Sequence, residues 1–268
     1  SWQLADAFSA SWTGGDSIRL NNGTLDTNGQ NLTCWKLAGA AGTQTLTLGA
    51  SHIYLSQFDA ANYDAINAGT SNFNITNPGG SYLQFFGASL TYNNITMTPT
   101  YSSNNGYQIS GTFTCANLTL NNKFKNDQVT IANNITITGT FTAAGLSSTH
   151  RIVVTSDTGA QRTITAAAVS TNHADFKEII GAGGSWDLSS ADSVGYANNS
   201  GLTFTWPYDN TRDMYWTGKA DGVDRPISVA AAIFDDFQHA RRAETAQRLR
   251  LIVALARLGE IKRVAEDI

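Results

Sequence analysis

The chain has 268 residues, a net charge of −4 and 14% charged side chains, well below the roughly 25% usual in soluble domains. That length can bury a sizeable core, no apolar run is long enough to span a bilayer, and the N-terminus carries no basic-then-apolar signal. The negative balance, with no basic run interleaved with aromatics, excludes the electrostatic footprint of a nucleic-acid binder, so neither nucleic acid nor membrane insertion is expected among the partners.

Thr, Ser, Asn and Gly carry the polarity instead of charge. That suits stacked strands, where hydroxyls and amides form ladders and like charges would pile up. Residues 1–218 hold 21 of the charged side chains and the last 50 hold 17, so two compositions share one chain. The first residue is Ser rather than Met, which reads as a mature or excised form.

Ser1–Gly15 contains Trp2, Leu4, Phe8 and Trp12. It is expected to be a cap over an open sheet end or the join to a preceding domain. From Asp16 short strands follow one another. Ser17–Leu20 leads to the turn Asn21-Asn22-Gly23, and Thr24–Thr27 leads to Asn28-Gly29. Such Asn-Gly pairs supply the left-handed backbone that tight corners need. Thr45–Leu48, His52–Leu55, Phe73–Thr76 and Tyr82–Phe86 come next, with an excursion at Asp59–Ala65 and a break at Pro78-Gly79-Gly80.

The densest part runs through Leu90–Thr100, Ile109–Leu120 and Val129–Thr142. In Ile135-Thr136-Ile137-Thr138 apolar residues alternate with threonine, which puts the apolar set on one face of a strand. Asn-Leu/Ile-Thr recurs at Asn31, Asn74, Asn94, Asn117 and Asn134, at spacings of 43, 20, 23 and 17 residues. Counting 43 as two periods gives about 21 residues per repeat, the mark of a β-solenoid. The fold class is therefore all-β: a parallel, right-handed β-solenoid over residues 16–218, with Ile95, Phe113, Leu118, Ile135 and Ile137 inward and Thr96, Thr119 and Thr136 outward. Asn-Gly turns also suit antiparallel hairpins; the period decides against them. Arg151–Val154 and Thr163–Val169 are further strands. The pattern then changes, and Leu202–Pro207 and Met214–Trp216 read as the last strands, with Trp186, Trp206 and Trp216 closing the lower end.

Residues 219–268 read as a helical segment. Asp224 stands as an N-cap with Pro226 in the first turn, and Ala230–Leu258 is rich in helix formers. Leu249, Leu251, Ile252, Leu255 and Leu258 belong to two apolar stripes, which calls for partners on more than one side. They are the candidate oligomerisation residues. The other reading folds this helix back onto its own solenoid.

The segments NGTLDTNGQNLTC, LTLGAS, INAGTSNFNIT, LTYNNITMT, RTITAAAVS, HADFKEIIGAG, NNSGLTFTWP and YWTG resemble β-solenoid repeat proteins of bacteriophage virions and of secreted bacterial surface proteins. The likeness spans most of Asn21–Gly218. It implies a structural role in a fibre, spike or adhesin, a virion or cell-surface location, assembly as a homotrimer with other appendage proteins, and a host surface glycan as a possible ligand. It implies no catalytic residue. Relatives often continue into a Gly/Trp-rich repeat, whereas here the charged helical segment follows.

An enzyme on this fold would cleave surface polysaccharide with paired carboxylates. Asp175 and Glu178 beside His173, with Asp187 and Asp192 nearby, are the one cluster to weigh; a solvated coil edge is the plainer reading. Asp209, Arg212 and Asp213 read as a surface salt-bridge group. His52, His150, His173 and His239 have no ligand partner at metal-binding spacing, no calcium-repeat, P-loop, dinucleotide or Gly-x-Ser-x-Gly motif appears, and no cofactor is expected. The Asn-x-Ser/Thr sequons follow from corner asparagines leading into Thr strands, so stacked amides, not glycans, are expected there. The Thr-x-Thr runs at Thr96–Thr98 and Thr136–Thr138 look like ice-binding faces, but outward threonines on any solenoid have the same pattern. Cys34 and Cys115 fall about four coils apart, or ~19 Å at ~4.8 Å per strand. A disulfide needs Cα atoms within about 7 Å, so two buried free thiols are expected.

Overall fold

The computed structural model describes residues 1–10, 17–40, 42–76, 82–100, 107–124, 127–189, 191–196 and 198–204, together with the backbone of two short strands, Tyr215–Trp216 and Arg225–Pro226. The chain divides into two units, Ser1–Tyr208 and Asp209–Ile268. In the second, the two short strands pair antiparallel. The predicted helix, its residues Leu249, Leu251, Ile252, Leu255 and Leu258, His239, Trp206 and the group Asp209, Arg212 and Asp213 lie outside the described residues.

The first unit is an all-β parallel solenoid. Its chain visits up to three faces per turn. A first face stacks Trp2–Gln3, Gly23–Asp26, Gln44–Thr47 and Ala65–Asn67. A second stacks nine strands: Phe8–Ser9, Leu32–Thr33, His52–Leu55, Asn72–Ile75, Thr91–Met97, Phe113–Asn121, Ile135–Ala144, Arg162–Asn172 and Ile179–Gly183. A third also stacks nine, beginning at Ser17–Leu20 and ending at Ala174–Lys177 and Val194–Gly195. Every pairing within these three faces is parallel. Nine strands make eight steps, or about 38 Å of stack at ~4.8 Å each.

The core is a set of straight columns. Leu32, Ile53, Phe73, Ile95, Leu118 and Phe141 lie in register on the second face, and all are buried. Phe58, Phe73, Phe85, Tyr92 and Phe113 meet edge-on or tilted inside, with ring centroids 4.8–6.2 Å apart, the geometry favoured by aromatic quadrupoles. The five residues expected inward are buried, and Thr96, Thr119 and Thr136 are not.

The register corrects the repeat. Asn31, Asn94 and Asn117 do share a column, through His52 and Asn72. Asn74 lies two residues past that column, since Asn72 is the residue opposite Asn94. Asn134 also falls outside it: Phe141, not Ile135, stands opposite Leu118. Alternating Thr strands generate Asn-x-Thr at more than one register. The spacing near 21 still emerges because the true steps, 20–23 residues through Leu118 to Phe141, average close to it.

From Thr91 the second-face strands lengthen to 7, 9, 10 and 11 residues. The strand Ile135–Ala144 carries an extra residue after Ile137 against both of its neighbours; a bulge of this kind bends a strand without ending it. Gly139 sits in this bulge. A Cβ there would lie 2.6 Å from Asn117 Oδ1 and 2.7 Å from the Ala116 carbonyl, so the close passage requires glycine.

The two ends of the stack differ. Trp2 continues the column of Leu25 and Leu46, and Phe8 that of Leu32 and Ile53. Yet Trp2 is 62% and Phe8 43% exposed: they are core positions of the outermost coil. At the other end Trp186 is buried and packs on Phe141 and Phe176 at 5.5 and 6.3 Å. Its Nε1 donates to the Ala182 carbonyl at 3.0 Å. Leu188 is buried beside it, and Phe204 lies 6.3 Å from Phe176. The change of pattern after Val169 hides two more solenoid strands, Ala174–Lys177 and Ile179–Gly183.

Candidate functional site: a charged corner and an exposed polar face

Two places concentrate chemistry-bearing side chains. The first is the corner holding Asp175. Ala174 and Phe176 point into the core and Asp175 lies between them, itself 3% exposed. Arg151, on the preceding coil, donates from Nε and Nη2 to Asp175 Oδ1 at 2.8 and 2.6 Å. The Tyr196 hydroxyl reaches Asp175 Oδ2 at 3.4 Å. Arg151 also donates from Nη1 to Asp192 Oδ2 at 3.1 Å and from Nη2 to the Asp192 carbonyl at 2.6 Å. His173 Nδ1 stands 2.6 Å from the same Asp192 oxygen.

Burial alone would lower the Arg151 pKa; the hydrogen bonds and charge of Asp175, then of Asp192, outweigh it and raise the value. The guanidinium therefore stays charged and ties three successive coils together. His173 and Asp192 hold positive φ, 49° and 43°, which bends the chain at the edge of the third face.

Glu178 does not join this group. With φ at 60° it turns the chain from Lys177, the end of a third-face strand, into Ile179 on the second face. Its Oε1 lies 3.6 Å from Lys177 Nζ. Asp187 is held below the usual carboxylate range by the Ser189 hydroxyl and by the Ser189 N–H, which donates to it at 3.1 Å. Both Asp175 oxygens are thus committed to side chains that bind it in place. Asp175 and Asp192 are held by one guanidinium, while Glu178 lies beside Lys177.

The second place is the outer surface of the second face. Its columns read Thr33, Tyr54, Asn74, Thr96, Thr119, Thr142 and Ser170 in register. Beside them Asn72, Asn94 and Asn117 form an amide ladder. Asn94 Nδ2 donates to Asn72 Oδ1, and Asn117 Nδ2 to Asn94 Oδ1, each at 2.7 Å. Asn117 Oδ1 accepts from the Thr140 N–H at 2.8 Å. Asn22, Asn31 and Asn134 likewise accept a backbone N–H from the following coil, at 3.2, 3.2 and 2.9 Å. Among the sequon asparagines, Asn94 and Asn117 stack amide on amide, whereas Asn22, Asn31 and Asn134 cap backbone N–H groups instead.

On this face His52 and Tyr54 project side by side, with ring centroids 6.3 Å apart and planes 20° from parallel. Tyr54 is 37% exposed. Thr33 and Asn74 flank it on the coils before and after. An exposed aromatic pair framed by amides and hydroxyls offers a flat apolar patch with donors and acceptors at its rim. The alternation in His52-Ile53-Tyr54-Leu55 signals it in the sequence. The Arg151–Asp175 pair is signalled only by its separation of 24 residues, close to one coil.

Among the described residues no group of three His, Cys, Asp or Glu side chains lies within reach of one metal ion. Cys34 and Cys115 are buried and unpaired with each other, as their separation along the stack dictates. The chain matches no family model, no curated protein and no solved structure.

Proposed function

We propose that the protein is a structural and adhesive subunit of a fibre, spike or other surface appendage, of a phage virion or a bacterial cell, wound right-handed as parallel crossovers are. The observation that carries this reading is the second face: a stiff, in-register ladder of hydroxyls and amides with His52 and Tyr54 exposed upon it. A sugar ring lays its C–H face on an aromatic and its hydroxyls on neighbouring amides, so a host surface glycan suits this surface. The segment with Leu249, Leu251, Ile252, Leu255 and Leu258 would assemble copies, as a trimer in this reading, because weak contacts become strong only when held together.

The test incubates the purified chain with a panel of bacterial capsular polysaccharides and lipopolysaccharides and follows both binding and chain length. Retention of a polysaccharide at unchanged length, weakened by Tyr54→Ala, supports attachment. Shortened chains, with the activity lost in Asp175→Ala or Glu178→Ala, replace it by a polysaccharide depolymerase.

A further inference from the structure

A cleft of about 560 Å³ opens on the opposite side of the early coils, where the third face turns toward the first. Arg19, Gly39, Ala40, Asn62, Tyr63 and Asp64 line it. That volume falls in the range of small-molecule sites. Its floor is built by close packing: a Cβ on Gly39 would lie 2.0 Å from the Asn62 carbonyl oxygen, so glycine lets the next coil close down. Behind the floor Gln44 is fully buried. Its Nε2 donates to the Asn21 carbonyl at 2.9 Å and to the Ala40 carbonyl, and its N–H donates to Asp64 Oδ2 at 2.7 Å. Gln44 thereby fixes the Ala40 and Asp64 walls.

The polar groups on the rim are held but not consumed. Arg19 and Asp64 enter no ion pair among the described residues. Asn62 donates its amide to Asp59 Oδ2 at 2.7 Å, which leaves its amide oxygen as an acceptor. The Tyr63 hydroxyl is buried without a partner among the described residues, and its side chain packs against the core behind the cleft. A cation, a carboxylate and an amide thus line one cleft.

We infer that this cleft binds one acidic saccharide unit, the carboxylate on Arg19 and the ring hydroxyls on Asp64 and the Asn62 amide. A guanidinium takes a carboxylate by two parallel hydrogen bonds, and a fixed carboxylate is an acceptor for paired hydroxyls. The inference rests on the attachment reading for its setting and adds a second contact, away from Tyr54.

The test is calorimetric titration of the full chain with a tetrasaccharide alternating glucuronic acid and N-acetylglucosamine, against the neutral tetrasaccharide of N-acetylglucosamine. The acidic one binds at least tenfold tighter. Arg19→Ala, at an exposed position that leaves the thermal unfolding midpoint unchanged, brings it down to the neutral one, and Asp64→Asn weakens both. Equal affinity for the two sugars, no binding, or binding untouched by both variants overturns the inference. Polysaccharide held through Tyr54 while the tetrasaccharide fails to bind rejects the cleft and leaves attachment standing; failure of the polysaccharide panel with the tetrasaccharide bound does the reverse.

Discussion

The indole of Trp186 lies directly over Gly181: a Cβ at Gly181 would sit 2.6 Å from Trp186 Cδ2. Gly181 occupies the column of Ile135 and Ile164, so the column ends in an empty place that the indole fills. Gly181→Ala is expected to push Trp186 out and to cost about 1–3 kcal/mol, the usual range for overpacking. A red shift of tryptophan emission with a lower denaturation midpoint is the expected result. Unchanged emission would show that Trp186 does not depend on this glycine.

Asp175→Ala strands the Arg151 guanidinium over the core with only Asp192 to hold it. Removing one partner of a buried pair costs about 3–5 kcal/mol; with Asp192 remaining and Arg151 partly exposed, about 2–4 kcal/mol is expected. Asp192→Ala removes a carboxylate that is 54% exposed and should cost no more than about 1 kcal/mol. Denaturant titration of the two variants checks the order. The reverse order would mean that Asp175 is not the anchor of this corner.

Asn94→Ala and Asn74→Ala alter the same local motif, Asn-Ile-Thr. Asn94 is the middle rung of an amide ladder with two 2.7 Å bonds, whereas Asn74 makes one contact at 3.5 Å. Asn94→Ala should cost about 1–2 kcal/mol and Asn74→Ala a few tenths, at about 0.5–1.5 kcal/mol for each good bond lost. Equal losses would place the two asparagines in equivalent settings.

Burial pushes the thiols of Cys34 and Cys115 from 9.0 up to about 12. In the unfolded chain they lose their protons near 9, while the folded chain keeps them to about 12. Above pH 9 the unfolded state therefore binds fewer protons, and stability falls as pH rises. Burial also raises Tyr63 and Tyr92, which adds to the same slope. A denaturation midpoint that is flat from about pH 7 to 8.5 and then declines is expected. The decline should be shallower in the Cys34→Ala/Cys115→Ala chain. At about pH 8, below the unfolded thiol value, neither thiol should react with a chromogenic disulfide until denaturant is added.

The period and the inward set were legible because strand alternation is local: Ile135, Ile137 and Phe113 need only their neighbours to declare a face. The register was not, because Asn-x-Thr arises wherever a corner amide leads into a threonine strand. The motif at Asn134 therefore looked equivalent to the one at Asn117 although Ile135 stands opposite Phe113 and not Leu118. Ala174–Lys177 was missed for a related reason. Its outward residue is a buried aspartate, and the arginine that allows this lies one coil away. The exposed pair His52 and Tyr54 was visible as alternation, but its neighbours Thr33 and Asn74 come from other coils.

The central claim is the winding itself, since the ladder face, the cleft and the closed end all depend on which residues share a rung. It is tested most directly by crosslinking cysteine pairs with a thiol reagent that spans roughly 5 Å, about one strand spacing. The structure sets Thr119 opposite Thr142 and Thr136 opposite Thr114, so Thr136 lies about 16 Å from Thr119 along the strand direction at ~3.3 Å per residue. The account predicts rapid intramolecular crosslinking of Thr119→Cys/Thr142→Cys and none of Thr119→Cys/Thr136→Cys. Crosslinking of the second pair in place of the first would contradict it.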